Sequence, residues 1–208
     1  MNIRPAARVP STGALLALYA AALVGSAPAQ SPRFAVAASG GAGCLPEGNG
    51  YLRARIRGAR NLDLDWHDAE LECEGGARTS SPGISLTFAG PLRPQGHRLR
   101  LVFGVRSAGE GTPGSALPTN LTVIFEGERQ LYATQGDDKC TVDSLRQERV
   151  AEVAAGKSSR AYRVVARGFC TAPASTLSGK ERIVVESFDF AGRVSYGHGA
   201  ASGSGAPK

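Results

Sequence analysis

Tryptophan and methionine each occur once in this 208-residue chain, histidine occurs three times, and aromatic residues make up 6% of it. None of His67, His97 and His198 stands at ligand spacing from a cysteine, and no Cys-x-x-Cys is present, so the pattern of a zinc site is missing. There is no phosphate loop, dinucleotide fingerprint, nucleophile elbow or calcium loop. No metal and no other cofactor is expected from such a chain. Lys and Arg never form a run interleaved with aromatics, which argues against a nucleic-acid partner. The low aromatic content also argues against the ring-lined platform of a typical sugar-binding module.

What is present begins with an export signal. Arg4 and Arg8 form a positive start, Ala14 to Val24 an apolar core, and Ala27-Pro28-Ala29 a small-x-small cleavage site. The apolar run is shorter than the ~20 residues of a membrane span, and nothing after residue 29 approaches that length. Residues 1–29 therefore read as a signal peptide, of bacterial character, and the mature chain as periplasmic or secreted. Its removal takes two arginines and no acid, leaving 22 basic against 18 acidic residues, net +4. Four cysteines suit an oxidising compartment. Three pairings are possible; Cys44–Cys73 and Cys140–Cys170 are preferred because each pair brackets one hairpin-like stretch.

Residues 30–43 are an Ala/Ser/Gly-rich lead-in, and 44–196 form the folded domain. From Tyr51 the alternation is strict: Leu52, Ala54 and Ile56 on one side, Arg53, Arg55 and Arg57 on the other. A second strand follows with Leu62, Leu64 and Trp66 inward and Asp63, Asp65 and His67 outward. Pairing Arg57 with Asp63 and Arg55 with Asp65, through a short odd-length loop with Asn61 left-handed, matches the two faces. The apolar parity then changes, which places a bulge or turn at His67-Asp68. Further strands are read at Ile84–Phe88, Leu99–Val105, Asn120–Glu126, Gln130–Ala133, Tyr162–Phe169 and Arg182–Phe190. Ser107 to Pro118, rich in Gly, Pro and Ser, is a surface loop or a linker. Between Cys140 and Tyr162 two readings stay open. Ser144-Leu145-Arg146-Gln147 fits a capping box that starts a helix over 145–155, whereas a fold-back around Gly156 makes a long hairpin arm. Residues 197–208 read as a disordered Gly/Ala/Ser tail.

The fold class expected is an all-β antiparallel sandwich with two intramolecular disulfides. Two related β-units are suggested by a weak repeat, 44–105 and 140–196, with similar cysteine spacing and two copies of Phe-Ala-Gly, at 88–90 and 190–192. Binding candidates are few. Arg53, Arg55 and Arg57 form a basic stripe that can hold an anionic surface, and Asp137 and Asp138 form an acidic loop beside Cys140. Glu70, Glu72 and Glu74 read as a solvated stripe rather than a catalytic pair. No catalytic residue is singled out. The function expected is a non-enzymatic exported module that binds a protein or cell-envelope component through loops and a sheet edge. An inhibitor or accessory protein of a secreted enzyme is the alternative, and a carboxylate-dependent hydrolase is a third.

Overall fold

The computed structural model describes residues 44–93, 96–150 and 160–197. The segments read from sequence as a signal peptide, a lead-in, a fold-back at Gly156 and a terminal tail lie outside the described residues. Alternating apolar residues build strand after strand: β1 (Tyr51–Gly58), β2 (Leu62–His67), β3 (Glu72–Ala77), β4 (Gly83–Leu92), β5 (His97–Arg106) and β6 (Leu117–Glu126). These are followed by β7 (Gln130–Ala133), β8 (Cys140–Val150), β9 (Arg160–Cys170), β10 (Ala174–Thr176) and β11 (Arg182–Tyr196). A single 3-10 turn, Asp68–Glu70, separates β2 from β3. It is the parity break anticipated at His67-Asp68.

The strands belong to one hydrogen-bonded sheet, antiparallel except where Ser195 of β11 bridges Gly76 of β3 in parallel. Along it the neighbours run β2, β1, β11, β9, β8, β6, β5, β4, β3, and the parallel bridge returns β3 to β11. The short strands β7 and β10 make a second link between β6 and β11. The sheet folds over so that its inner residues meet. Phe88 of β4 lies 5.0 Å from Phe190 of β11 between ring centroids, and Phe103 of β5 lies 4.9 Å from both Phe188 and Phe190. Phe88, Phe103 and Phe190 are fully buried, as are Leu99, Leu101 and Ile56. Each buried side chain of this size contributes roughly 1.5–3 kcal/mol relative to exposure. The two Phe-Ala-Gly segments thus lie on facing halves of the sheet and touch.

The antiparallel all-β class is as anticipated, and so are both disulfides, Cys44–Cys73 and Cys140–Cys170. Their sites differ. Cys140 and Cys170 are direct cross-strand partners at the base of the β8–β9 hairpin, whereas Cys44 precedes β1 and reaches Cys73 within β3. The helix alternative for 145–155 fails for residues 145–150, which belong to β8; residues 151–155 lie outside the described residues. Local helix formers are overridden there by pairing: residues 144–150 run antiparallel to β9, and Leu145 is buried on the inner face.

The β1–β2 register needs correction. Arg55 faces Asp63 and Arg53 faces Asp65, two residues away from the expected pairing. A slip of two preserves which face each side chain occupies, so the hydrophobic pattern does not choose between the registers. The turn chooses. Gly58, at φ 118°, supplies the left-handed backbone instead of Asn61, and the Asn61 side chain accepts the Gly58 N–H at 3.3 Å.

Candidate functional site

Strand alternation sends a second set of side chains to the outer face of β1, β11, β9 and β8. On β9 these are Arg163 and Val165, which are partly buried, and Arg167 and Phe169, which are exposed; Val164, Ala166 and Gly168 between them are buried. The neighbouring strands add Arg146 from β8, Asp189 and Arg193 from β11, and Tyr51 with Arg53, Arg55 and Arg57 from β1. The register sets who meets whom. Arg193 stands directly across from Arg163, and Asp189 stands between Arg167 on one side and Arg53 on the other. Arg146 is opposite Val165.

A recess of about 520 Å³ opens on this face, lined in part by Tyr51, Arg146, Val165, Arg167 and Asp189 and bounded by Pro113 and Gly114. Within it the Tyr51 hydroxyl donates to Asp189 Oδ1 at 2.8 Å. Burial first, and then the Asp189 carboxylate, push the Tyr51 phenol above its usual range, while Arg163 and Arg53 pull the other way. Arg163 has a carboxylate, Glu148, at 3.6 Å. Arg146, Arg167 and Arg193 have none within ion-pair distance among the described residues, and the buried Nε atoms of Arg163 and Arg193 have no hydrogen-bond acceptor there. The arrangement is a recess lined by two arginines, Arg146 and Arg167, and one carboxylate, Asp189.

The chain matches no protein-family model, no curated protein and no solved structure.

Of the residues singled out from sequence, Arg53, Arg55 and Arg57 do lie on this face, at its β1–β2 border. They are occupied: Arg53 pairs with Asp65 at 3.0 Å, and Asp63 takes Arg57 at 2.7 Å and Arg55 at 3.5 Å. Asp137 and Asp138 contact none of them. Asp137 accepts from Asn120 at 2.7 Å and from Arg78 at 3.3 Å, with Arg106 at 3.6 Å, so two guanidinium groups share its single negative charge. Asp138 is exposed and pairs with Lys139. Glu70 and Glu72 are in ion pairs with Arg93 and Arg98.

The Ser107–Pro118 segment is a docked loop and not a linker. Gly114 and Leu145 exchange both backbone hydrogen bonds, at 3.0 and 2.8 Å. Gln147 donates to the carbonyls of Gly109 at 2.6 Å and Thr112 at 3.2 Å. Arg160 grips Glu110 with two guanidinium nitrogens, and Tyr162 donates to the same carboxylate. Those bonds hold Pro113 and Gly114 at the rim of the recess.

Sequence reasoning passed over Arg146, Arg163, Arg167, Arg193 and Asp189. The alternation from Tyr162 to Phe169 already carried part of the signal, since arginines recur on its polar side. What it lacked was the neighbouring strand.

Proposed function

We propose that this chain is an exported, non-enzymatic binding module that docks a cell-envelope component on the outer face of β1, β11, β9 and β8. The observation that carries the reading is the recess itself, a positively charged concavity in which Arg146 and Arg167 have no carboxylate within ion-pair distance among the described residues. Charged groups held in this way favour a complementary partner more than they favour the free protein. Export is supported by the amino-terminal signal pattern and by the two disulfides, which suit an oxidising compartment. Among the described residues no helix is long and apolar enough to cross a membrane. A hydrolase reading has less support, because the recess is lined by one carboxylate, Asp189, which already accepts the Tyr51 hydroxyl.

The test is capture from the producing cell's envelope fraction, with wild-type chain and an Arg146→Gln/Arg167→Gln variant side by side. Retention of an envelope component by the wild type and its loss in the variant is the expected result. Equal retention by both, or turnover on a hydrolase panel without capture, overturns the reading.

The inhibitor reading draws on a different observation. Leu177 is 94% exposed at the tip of the turn between β10 and β11. That turn is pinned by the Gly179 N–H to the Thr176 carbonyl at 2.8 Å and the Thr176 N–H to the Glu181 carbonyl at 3.0 Å. A projecting apolar side chain on a fixed turn can enter an enzyme cleft. Leu177→Asp would abolish inhibition of a secreted hydrolase by the chain, and absence of inhibition by the wild type removes this reading.

A further inference from the structure

We infer that the ligand of this face is an acidic polysaccharide, a sugar chain whose separated carboxylates seat between the arginines of β8, β9 and β11. The inference rests on the docking face proposed above and names its ligand class. Arg163 and Arg193 are direct cross-strand neighbours, and like charges in that relation repel. Glu148 offsets part of that repulsion from the Arg163 side, at 3.6 Å, and nothing among the described residues does so for Arg193. An anion seated between the two relieves it. Arg146, across from Val165, is the diagonal neighbour of both Arg163 and Arg167. With a rise of about 3.3 Å per residue, Arg163 and Arg167 are roughly 13 Å apart along β9, too far for one small anion to bridge. An extended chain with spaced charges spans them, and the planar guanidinium fork pairs with carboxylates two bonds at a time.

Asp189 narrows the chemistry. It sits in the recess, in register with Arg167 and Arg53. It accepts hydrogen bonds from hydroxyls, which a sugar chain supplies between its charges. Phe169, 37% exposed, is the one exposed large apolar side chain on the face among the described residues. Charge and hydroxyl bonding, and not ring stacking, therefore carry recognition, which is consistent with so few aromatics. A bilayer would find no apolar set to receive it.

The experiment is calorimetric titration of the purified full chain with polygalacturonate. Dextran, a single-stranded oligonucleotide and phosphatidylglycerol vesicles are the comparison arms. Polygalacturonate is expected to bind, more weakly as salt is added, and dextran not to bind. Arg146→Gln/Arg167→Gln is expected to weaken polygalacturonate binding about tenfold or more. Arg163→Gln/Arg193→Gln is expected to weaken it similarly while leaving the melting temperature unchanged or higher, because a repelling pair is removed. Absence of polygalacturonate binding by the folded chain, equal binding by the variants, or tighter binding to the oligonucleotide or the vesicles overturns the inference. If polygalacturonate fails while envelope capture still depends on Arg146 and Arg167, the sugar assignment falls and the docking face stands. If capture is indifferent to them as well, both fall.

Discussion

The ring of Phe88 rests on Gly192. A methyl group built on Gly192 would come within 2.6 Å of the ring's outer carbon, so any side chain there collides with the centre of the core. The same relation recurs at the other Phe-Ala-Gly segment, where a methyl on Gly90 would meet the Trp66 indole at 2.6 Å. Gly192→Ala is expected to destabilise the fold by about 1–3 kcal/mol through overpacking, read as a lower urea midpoint with unchanged slope. A midpoint equal to that of the wild type would refute the close approach.

Asp68 ties the start of the domain to the turn after β2. It is buried, and its Oδ1 accepts the Leu45 N–H at 2.9 Å and the Gly50 N–H at 2.8 Å. Asp68→Ala leaves both donors without an acceptor and is expected to cost roughly 2–3 kcal/mol, whereas Asp68→Asn keeps an acceptor oxygen and costs less. Equal denaturation curves for the two variants would contradict this role.

Each disulfide closes a loop of similar length, with the cysteines 29 and 30 positions apart. Replacing Cys140 and Cys170 together by alanine is expected to lower stability by about 3–4 kcal/mol in the loop-entropy account. Peptide mass mapping of the wild type should recover the 44–73 and 140–170 crosslinks, and free thiols would contradict the structure.

The strap between the β5–β6 loop and the β8–β9 hairpin titrates at both ends of the pH scale. Arg160 holds the Glu110 carboxyl below its ordinary value of 4.5. A depressed acid stabilises the fold above its unfolded value and loses that contribution as pH falls through the folded one, so the loop should loosen below about 4.5. Burial pushes Tyr196, which donates to Gln147, from 10.0 to about 12. A raised phenol stabilises fully below 10.0 and loses that contribution as pH climbs toward about 12. Phenolate absorbance should show a tyrosine ionising late, and Tyr196→Phe should remove that step. Amide protection across residues 109–114, taken relative to the intrinsic exchange rate at each pH, should fall in acid and in Gln147→Ala.

Much of this was legible from residue order. The alternation at Leu52, Ala54 and Ile56, and again at Leu99 to Val105, named the inward faces, and these residues are buried. The cysteine brackets favoured, among three pairings, the one observed, and the break at His67-Asp68 marked the turn. The β1–β2 register was not legible, because a two-residue slip leaves every side chain on its own face. Nor was the docking of Ser107–Pro118, whose composition alone suits a free linker equally well.

The sequence by itself therefore determined the class of fold and the faces of its strands, since a period of two is a local fact, and it favoured without deciding the cysteine partners. Tertiary structure decided which charges meet. Arg163 and Arg193 are remote along the chain and adjacent across it, and Asp189 acquires its tyrosine and its flanking arginines only when β1 and β9 close on either side of β11. Coulomb energy depends on distance in space, and strand order sets that distance.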